Sequence, residues 1–206
     1  MNAVITGDVV NSTQVAPEQW LTPLKETLLI WGQQPKEWEI FRGDSFQLLV
    51  PAKDVLHAAI AIKAVLKTRK QLDVRLGIGL GTVSYRASRI TESNGEAFVF
   101  SGEKFEQLKK EKVNMAIQSR WAKFDRDMNL FLKFALVIMD EWTENSAEMV
   151  KLALDQPYLS QQELGERVGI KQNAVSARLT RARYDVIEDL LNIYRIKLKE
   201  IHGAPS

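Results

Sequence analysis

The chain has 206 residues, 45% hydrophobic and 26% charged, with a formal net charge of +2, enough for one large domain or two small ones but too nearly balanced to bind polyanions by bulk composition. It contains no cysteine, which excludes disulfides, thiolate metal sites and cysteine nucleophiles. The histidines are only His57 and His202, so a histidine-rich zinc site is not expected.

The N-terminus enters Ala3-Val4-Ile5-Thr6 without the basic and apolar segments of a signal peptide. The longest apolar stretch, 130–139, is broken by Lys133 and too short to span a bilayer. A cytoplasmic protein with no membrane partner is expected.

In chain order, residues 2–7 predict a short buried strand that turns at Gly7-Asp8, since glycine permits turns that other residues resist. Pro17 opens a helix to about Trp31, with Trp20, Leu21, Leu24, Leu28 and Trp31 at helical spacing; its tryptophans read as core. Residues 38–41 and 46–50 predict two strands joined by Arg42-Gly43-Asp44-Ser45, with Asp44 at the tip of the turn. A helix over 52–68 follows, carrying Val55, Ala59, Ile62 and Leu66 on one face, with His57 a helix residue of no special role. The strand predicted over 72–83 has glycine at alternate positions, Gly77, Gly79 and Gly81. Three glycines there imply close backbone approach on one face, by a helix or by a ligand. Residues 84–95 read as a polar loop whose Arg86 and Arg89 meet phosphates or water, 97–108 as a helix and 113–117 as a last strand.

The order β-α-β-β-α-β-α-β predicts an α+β fold with a ferredoxin-like sheet, in which the first strand and the central hairpin are neighbours. Asp8 and Asp44 would then come together, and two carboxylates side by side suit a divalent cation and the phosphates it carries. Taken singly, each Gly-Asp is an ordinary turn dipeptide.

Gly7-Asp8-x-Val10-x-Ser12-Thr13, then Gly43-Asp44-x-Phe46-Gln47, then Arg75-x-Gly77-Ile78-x-x-Gly81-x-Val83 resembles, in that order, the class III nucleotidyl cyclase domain. It is closer still to the small bacterial SatD-like proteins, in which Gly-Asp-x-Phe-Gln recurs. The resemblance covers residues 1 to about 120. It implies that Asp8 and Asp44 hold Mg²⁺, with Asn11, Ser12, Thr13, Gly43 and Arg75 meeting a nucleotide. The chain departs from the cyclases where catalysis is concerned. In the segment Phe98–Glu103, Val99 stands where the family has a transition-state Asn and Glu103 where it has Arg. Ile40 stands where a base-reading lysine is usual. A carboxylate in place of a guanidinium repels the charge developing on the phosphates, and losing one such donor costs on the order of a hundredfold in rate. An enzyme is therefore not expected, and no catalytic residue is assigned.

Residues 123–142 predict a helix apolar on much of its circumference, capped by Asp125 or Asp127. Such a helix must be buried, against the first domain or another copy of the protein, and reads as a connector and dimerisation element over 121–144. Beyond it, a helix over about 145–155 is stopped by Pro157. Ser160-Gln161-Gln162-Glu163 is a capping box, Leu164 and Val168 are apolar helix positions, and Gly169 stands where a left-handed residue is needed. A new helix starts at about Gln172, with Val175, Leu179 and Ala182 inward. This spacing suits a helix-turn-helix, and Leu159-Ser160-x-x-Glu163-Leu164, Gly169-Ile170, Val175 and Leu179 resemble region 4 of the sigma factors over about 149–191. Lys171 departs from the usual Ser or Thr cap.

On the second helix of that pair, Lys171, Gln172, Asn173, Ser176, Ala177, Thr180 and Arg181 are read as the outer face. Gln and Asn pair bidentately with adenine, while Lys and Arg bind phosphate or guanine. Arg178 adds positive charge and joins the DNA-binding set. Residues 185–201 continue as an amphipathic helix. The organisation expected is thus a cyclase-like domain over 1–120, the connector, and a DNA-binding domain over 145–206. The function expected is a transcriptional regulator, a homodimer on DNA, whose first domain senses a nucleotide with Mg²⁺. A metal-dependent nucleotidyl cyclase is the alternative, and a protein-binding helical hairpin is the other reading of the C-terminal part.

Overall fold

The computed structural model describes residues 1–203. Strand β1 (Asn2–Val10) lies at the middle of a five-stranded sheet. It pairs antiparallel with β3 (Ser45–Pro51) on one edge and with β4 (Asp73–Gly81) on the other. β2 (Trp38–Phe41) adds antiparallel outside β3, and β5 (Met115–Gln118) adds parallel outside β4, giving the order β2-β3-β1-β4-β5. Three helices belong to this part: α1 (Leu21–Leu29), α2 (Val55–Lys67) and α3 (Glu96–Glu111). The α+β class and the element order match the expectation.

Alternation along β1 divides the layers. Ala3, Ile5 and Val9 enter the main core with Leu24 and Leu28 of α1 and Leu56 and Ile60 of α2. Val4 joins Ala97 and Phe98 of α3 in a separate cluster. The sheet is thus covered by helices on both faces.

β1 does not end at Gly7 as expected. It runs to Val10 because Asp8 is in register with Ser45 on β3 and Arg75 on β4. The turn falls at Asn11, where φ is 62°. Gly7 is instead required by packing, since a Cβ there would lie 2.7 Å from the Phe46 ring and 2.8 Å from Leu76. The glycines of β4 answer to a helix. A Cβ on Gly79 would sit 2.2 Å from the Ala97 carbonyl oxygen of α3, and one on Gly77 2.5 Å from the Phe105 nitrogen. Backbone against backbone leaves nothing that can shift.

The rest of the chain is helical: α4 (Ala122–Met139), α5 (Glu144–Asp155), α6 (Gln161–Val168), α7 (Gln172–Ala182) and α8 (Tyr184–Gly203). Neither Asp125 nor Asp127 caps α4. Its N-cap is Trp121, without a side-chain bond, and Asp125 in the first turn accepts the Ser119 amide at 2.8 Å and hydroxyl at 2.6 Å. Burial pushes the Asp125 carboxyl up despite those bonds.

The main core continues without a break through residues 120 and 144. Phe124, Met128, Leu132 and Met139 of α4, Val150 and Leu154 of α5, and Ile187, Leu191, Tyr194 and Leu198 of α8 belong to the same cluster as the sheet. The Tyr194 hydroxyl donates to the Ala52 carbonyl at 2.5 Å. Lys63 of α2, fully buried, lies 2.6 Å from both Asp73 of β4 and Asp140 at the end of α4. A smaller core of Met149, Ala153, Leu164, Val175 and Leu179 holds α5, α6 and α7 together. Among the described residues, no helix is long and apolar enough to cross a membrane.

Candidate functional site

Two regions carry the residues singled out in the sequence: the end of β1 and the α6–α7 pair.

At the first, register puts Asp8 directly opposite Arg75. Arg75 donates Nε to Oδ1 at 2.9 Å and Nη2 to Oδ2 at 2.6 Å, so both carboxylate oxygens are engaged by one guanidinium. Asp44 lies in the β2–β3 turn, where Arg42 has φ 53° and Gly43 φ 94°. Its carbonyl accepts the Val9 amide at 3.1 Å and its carboxylate accepts the Ser12 hydroxyl at 2.7 Å. The strands therefore bring Asp8 and Asp44 to adjacent positions of the backbone, but their side chains line different depressions. Asp8 and Arg75 share one of about 240 Å³ with Phe105, Glu106 and Lys109. Asp44 shares one of about 520 Å³ with Ser12, Thr13, Arg42 and Gly43. Asn11 serves neither; its amide donates to the Gln71 carbonyl at 2.8 Å.

These residues do not fit a resident Mg²⁺ ion. Arg75 already engages both Asp8 oxygens that a cation would take, and the Asp44 carboxylate accepts from Ser12. Among the described residues, no group of three or more His, Cys, Asp or Glu is placed to hold a metal. The segment compared with the cyclase transition-state residues lies on α3, where Val99 is exposed and Glu103 accepts a bond from Gln118 of β5 at 2.7 Å. Phe105, Glu106 and Lys109, which wall the Asp8 depression, were not singled out in the sequence; their spacing on one side of a helix is the signal that points to them.

The second region is built on caps. The Ser160 side chain accepts the Glu163 amide and Glu163 accepts the Ser160 amide, so the capping box starts α6 as expected. The two Ser160 donors hold the Glu163 carboxyl below its ordinary range. Gly169, at φ 72°, ends α6 in the left-handed conformation, and the Ile170 amide bonds back to the Gly165 carbonyl at 2.9 Å. Lys171 then caps α7 with extended backbone and no side-chain bond. Val175, Leu179 and Ala182 are buried. Lys171, Gln172, Asn173, Ala177, Thr180 and Arg181 are exposed, and Ser176 is half-buried.

Arg178, counted in the DNA-binding set for its charge, is turned to a neighbouring helix. Its guanidinium donates to Glu148 of α5 at 2.9 Å and its side chain is largely covered, so it braces α7 against α5. Arg183, which follows α7 at φ 51°, is exposed beside Asp185 at 3.6 Å.

No curated protein matches this chain. A family model described as the SatD family matches residues 2–187, a span that runs from β1 through α7 and into α8.

Proposed function

The chain belongs to the SatD family, and we propose that it is a cytoplasmic transcriptional regulator that binds DNA through α7. The observation that carries this reading is the pair α6–α7: a capped first helix, a left-handed Gly169, and a second helix with three apolar residues inward and a polar face open to solvent. That arrangement supports reading the pair as a helix-turn-helix of the sigma region-4 type. Asn173 and Gln172 offer bidentate amides for adenine edges, while Lys171 and Arg181 offer cations for phosphate or guanine. Arg178 is left out of the reading surface because it is paired to Glu148. Two copies acting together would address paired half-sites.

The α/β part is, on this reading, a cyclase-like scaffold that has lost catalysis. The antiparallel run β4-β1-β3-β2 supports the ferredoxin-like assignment, with β5 as an addition at one edge. The nucleotide and Mg²⁺ are not carried into the proposal, because Arg75 engages both carboxylate oxygens of Asp8.

Selection from a random duplex pool with the full chain tests the reading. The wild type should enrich a common sequence, and the Asn173→Ala, Arg181→Ala double variant should lose that enrichment while melting at the same temperature. Failure to enrich, or enrichment indifferent to those residues, overturns it. In the same preparation ATP or GTP with Mn²⁺ should be recovered intact; a cyclic product that disappears in Asp44→Ala would install the cyclase reading instead.

A further inference from the structure

Helix α4 buries one side in the main core and leaves the other in solvent. Leu130, Phe134 and Val137 on that outer side are 51%, 66% and 72% exposed. Single exposed apolar residues are ordinary, but these three recur at i, i+4 and i+7 and form one stripe. The stripe continues in both directions with charge. Lys123 and Arg126 precede it and Glu141 follows it, and all three are exposed. Asp140 keeps helical backbone at the helix end, which carries the direction of α4 on to Glu141. At 3.6 residues per turn, Lys123, Arg126, Leu130, Phe134, Val137 and Glu141 fall within about 40° of one line. None of the three charged residues is in an ion pair among the described residues.

We propose that this stripe is a self-association surface on which a second copy of the chain lays its own α4 antiparallel. The pattern is its own complement when reversed: cations at the start, apolar residues in the middle, an anion at the end. With the two-fold axis between Lys133 and Phe134, Leu130 of one copy meets Val137 of the other, Phe134 meets the aliphatic stem of Lys133, and Arg126 meets Glu141, twice over. Such an isologous contact closes on itself and stops at two subunits. A parallel arrangement would put like charges together at both ends, so charge selects the antiparallel one. On α8, which runs beside α4, Ile196 is also 58% exposed, and its neighbour Lys197 pairs with Asp127 of α4. The inference rests on the dimeric part of the proposed function and not on DNA binding.

Sedimentation of the full chain over a micromolar concentration series, without DNA, tests it. The wild type should pass from one chain to two, and Phe134→Glu should remain a single chain throughout. Arg126→Glu and Glu141→Arg should each weaken the dimer about tenfold or more by opposing like charges. The Arg126→Glu, Glu141→Arg double variant should restore it, because the reversed ends again match. All these side chains are exposed, so loss of folding does not confuse the result. A wild type that stays monomeric overturns the proposal and assigns the stripe to another partner. A dimer indifferent to Phe134→Glu overturns it too, and one not rescued by the double reversal overturns the antiparallel packing. A monomer that still selects a DNA sequence would leave the reading of α7 intact.

Discussion

Asp8 illustrates what a single residue reveals before its neighbours are known. A carboxylate after glycine near a strand reads as a cation ligand, yet its partner is Arg75, on a strand that joins β1 only through the sheet register. Both residues were visible as site candidates; their pairing with each other was not, because it depends on which positions face across two strands. His57 was set aside as an ordinary helix residue, and it too has a consequence. It lies edge-on to Trp31, with ring centroids 5.4 Å apart. Burial lowers its pKa from 6.5, Arg195 of α8 lowers it further, and Asp155 and Asp54 oppose the shift. The unfolded chain then binds a proton that the folded chain resists, so stability is fully present above pH 6.5 and falls as the pH drops toward the lowered pKa. In urea titrations across that window, wild type should lose more stability on acidification than His57→Gln. Parallel curves for the two would show that His57 does not carry the effect.

At the scale of elements, hydrophobic period and turn chemistry located the strands and α-helices named above to within a few residues, because each is long or sharply bounded. The alternate glycines of the fourth strand announced a close approach, and α3 supplies it. What the pattern concealed was the role of Lys63. A lysine within an apolar helix reads as a surface residue, but this one is fully buried between Asp73 and Asp140. It joins α2, β4 and the end of α4 at a point where Lys67 also donates to the Asp140 carbonyl at 2.6 Å. Removing one member of a buried ion cluster leaves the others without their counter-charge. Lys63→Ala should therefore cost about 3 kcal/mol or more of unfolding free energy. Chemical denaturation measures this directly; a loss no larger than an exposed lysine gives would mean that the three elements are held by apolar packing alone.

At the scale of the whole molecule, the motifs and the change of pattern near residue 123 suggested two parts with a connector, and the main core includes residues from all three. The reason lies in α4, α5 and α8. Their inward residues were legible as apolar, but periodicity says only that a face is buried and not against what. Tyr194, which reaches from α8 to the Ala52 carbonyl, fixes that answer across 142 positions of sequence. The same helix follows α7 directly in the chain. The net charge of +2 hides the same locality: Lys171 and Arg181 stand open on α7 while the molecule as a whole is nearly neutral.

The measurement that tests the DNA-binding account most directly is the affinity of the full chain for a mixed-sequence duplex as a function of salt, for wild type and for Arg181→Ala. Phosphate contacts release counterions, so the account predicts that log K falls linearly with log salt, with a slope of about −0.9 per contact. Arg181→Ala should weaken binding and make that slope shallower by about one. No binding at low salt, or a slope that Arg181→Ala leaves unchanged, would contradict a DNA-reading α7.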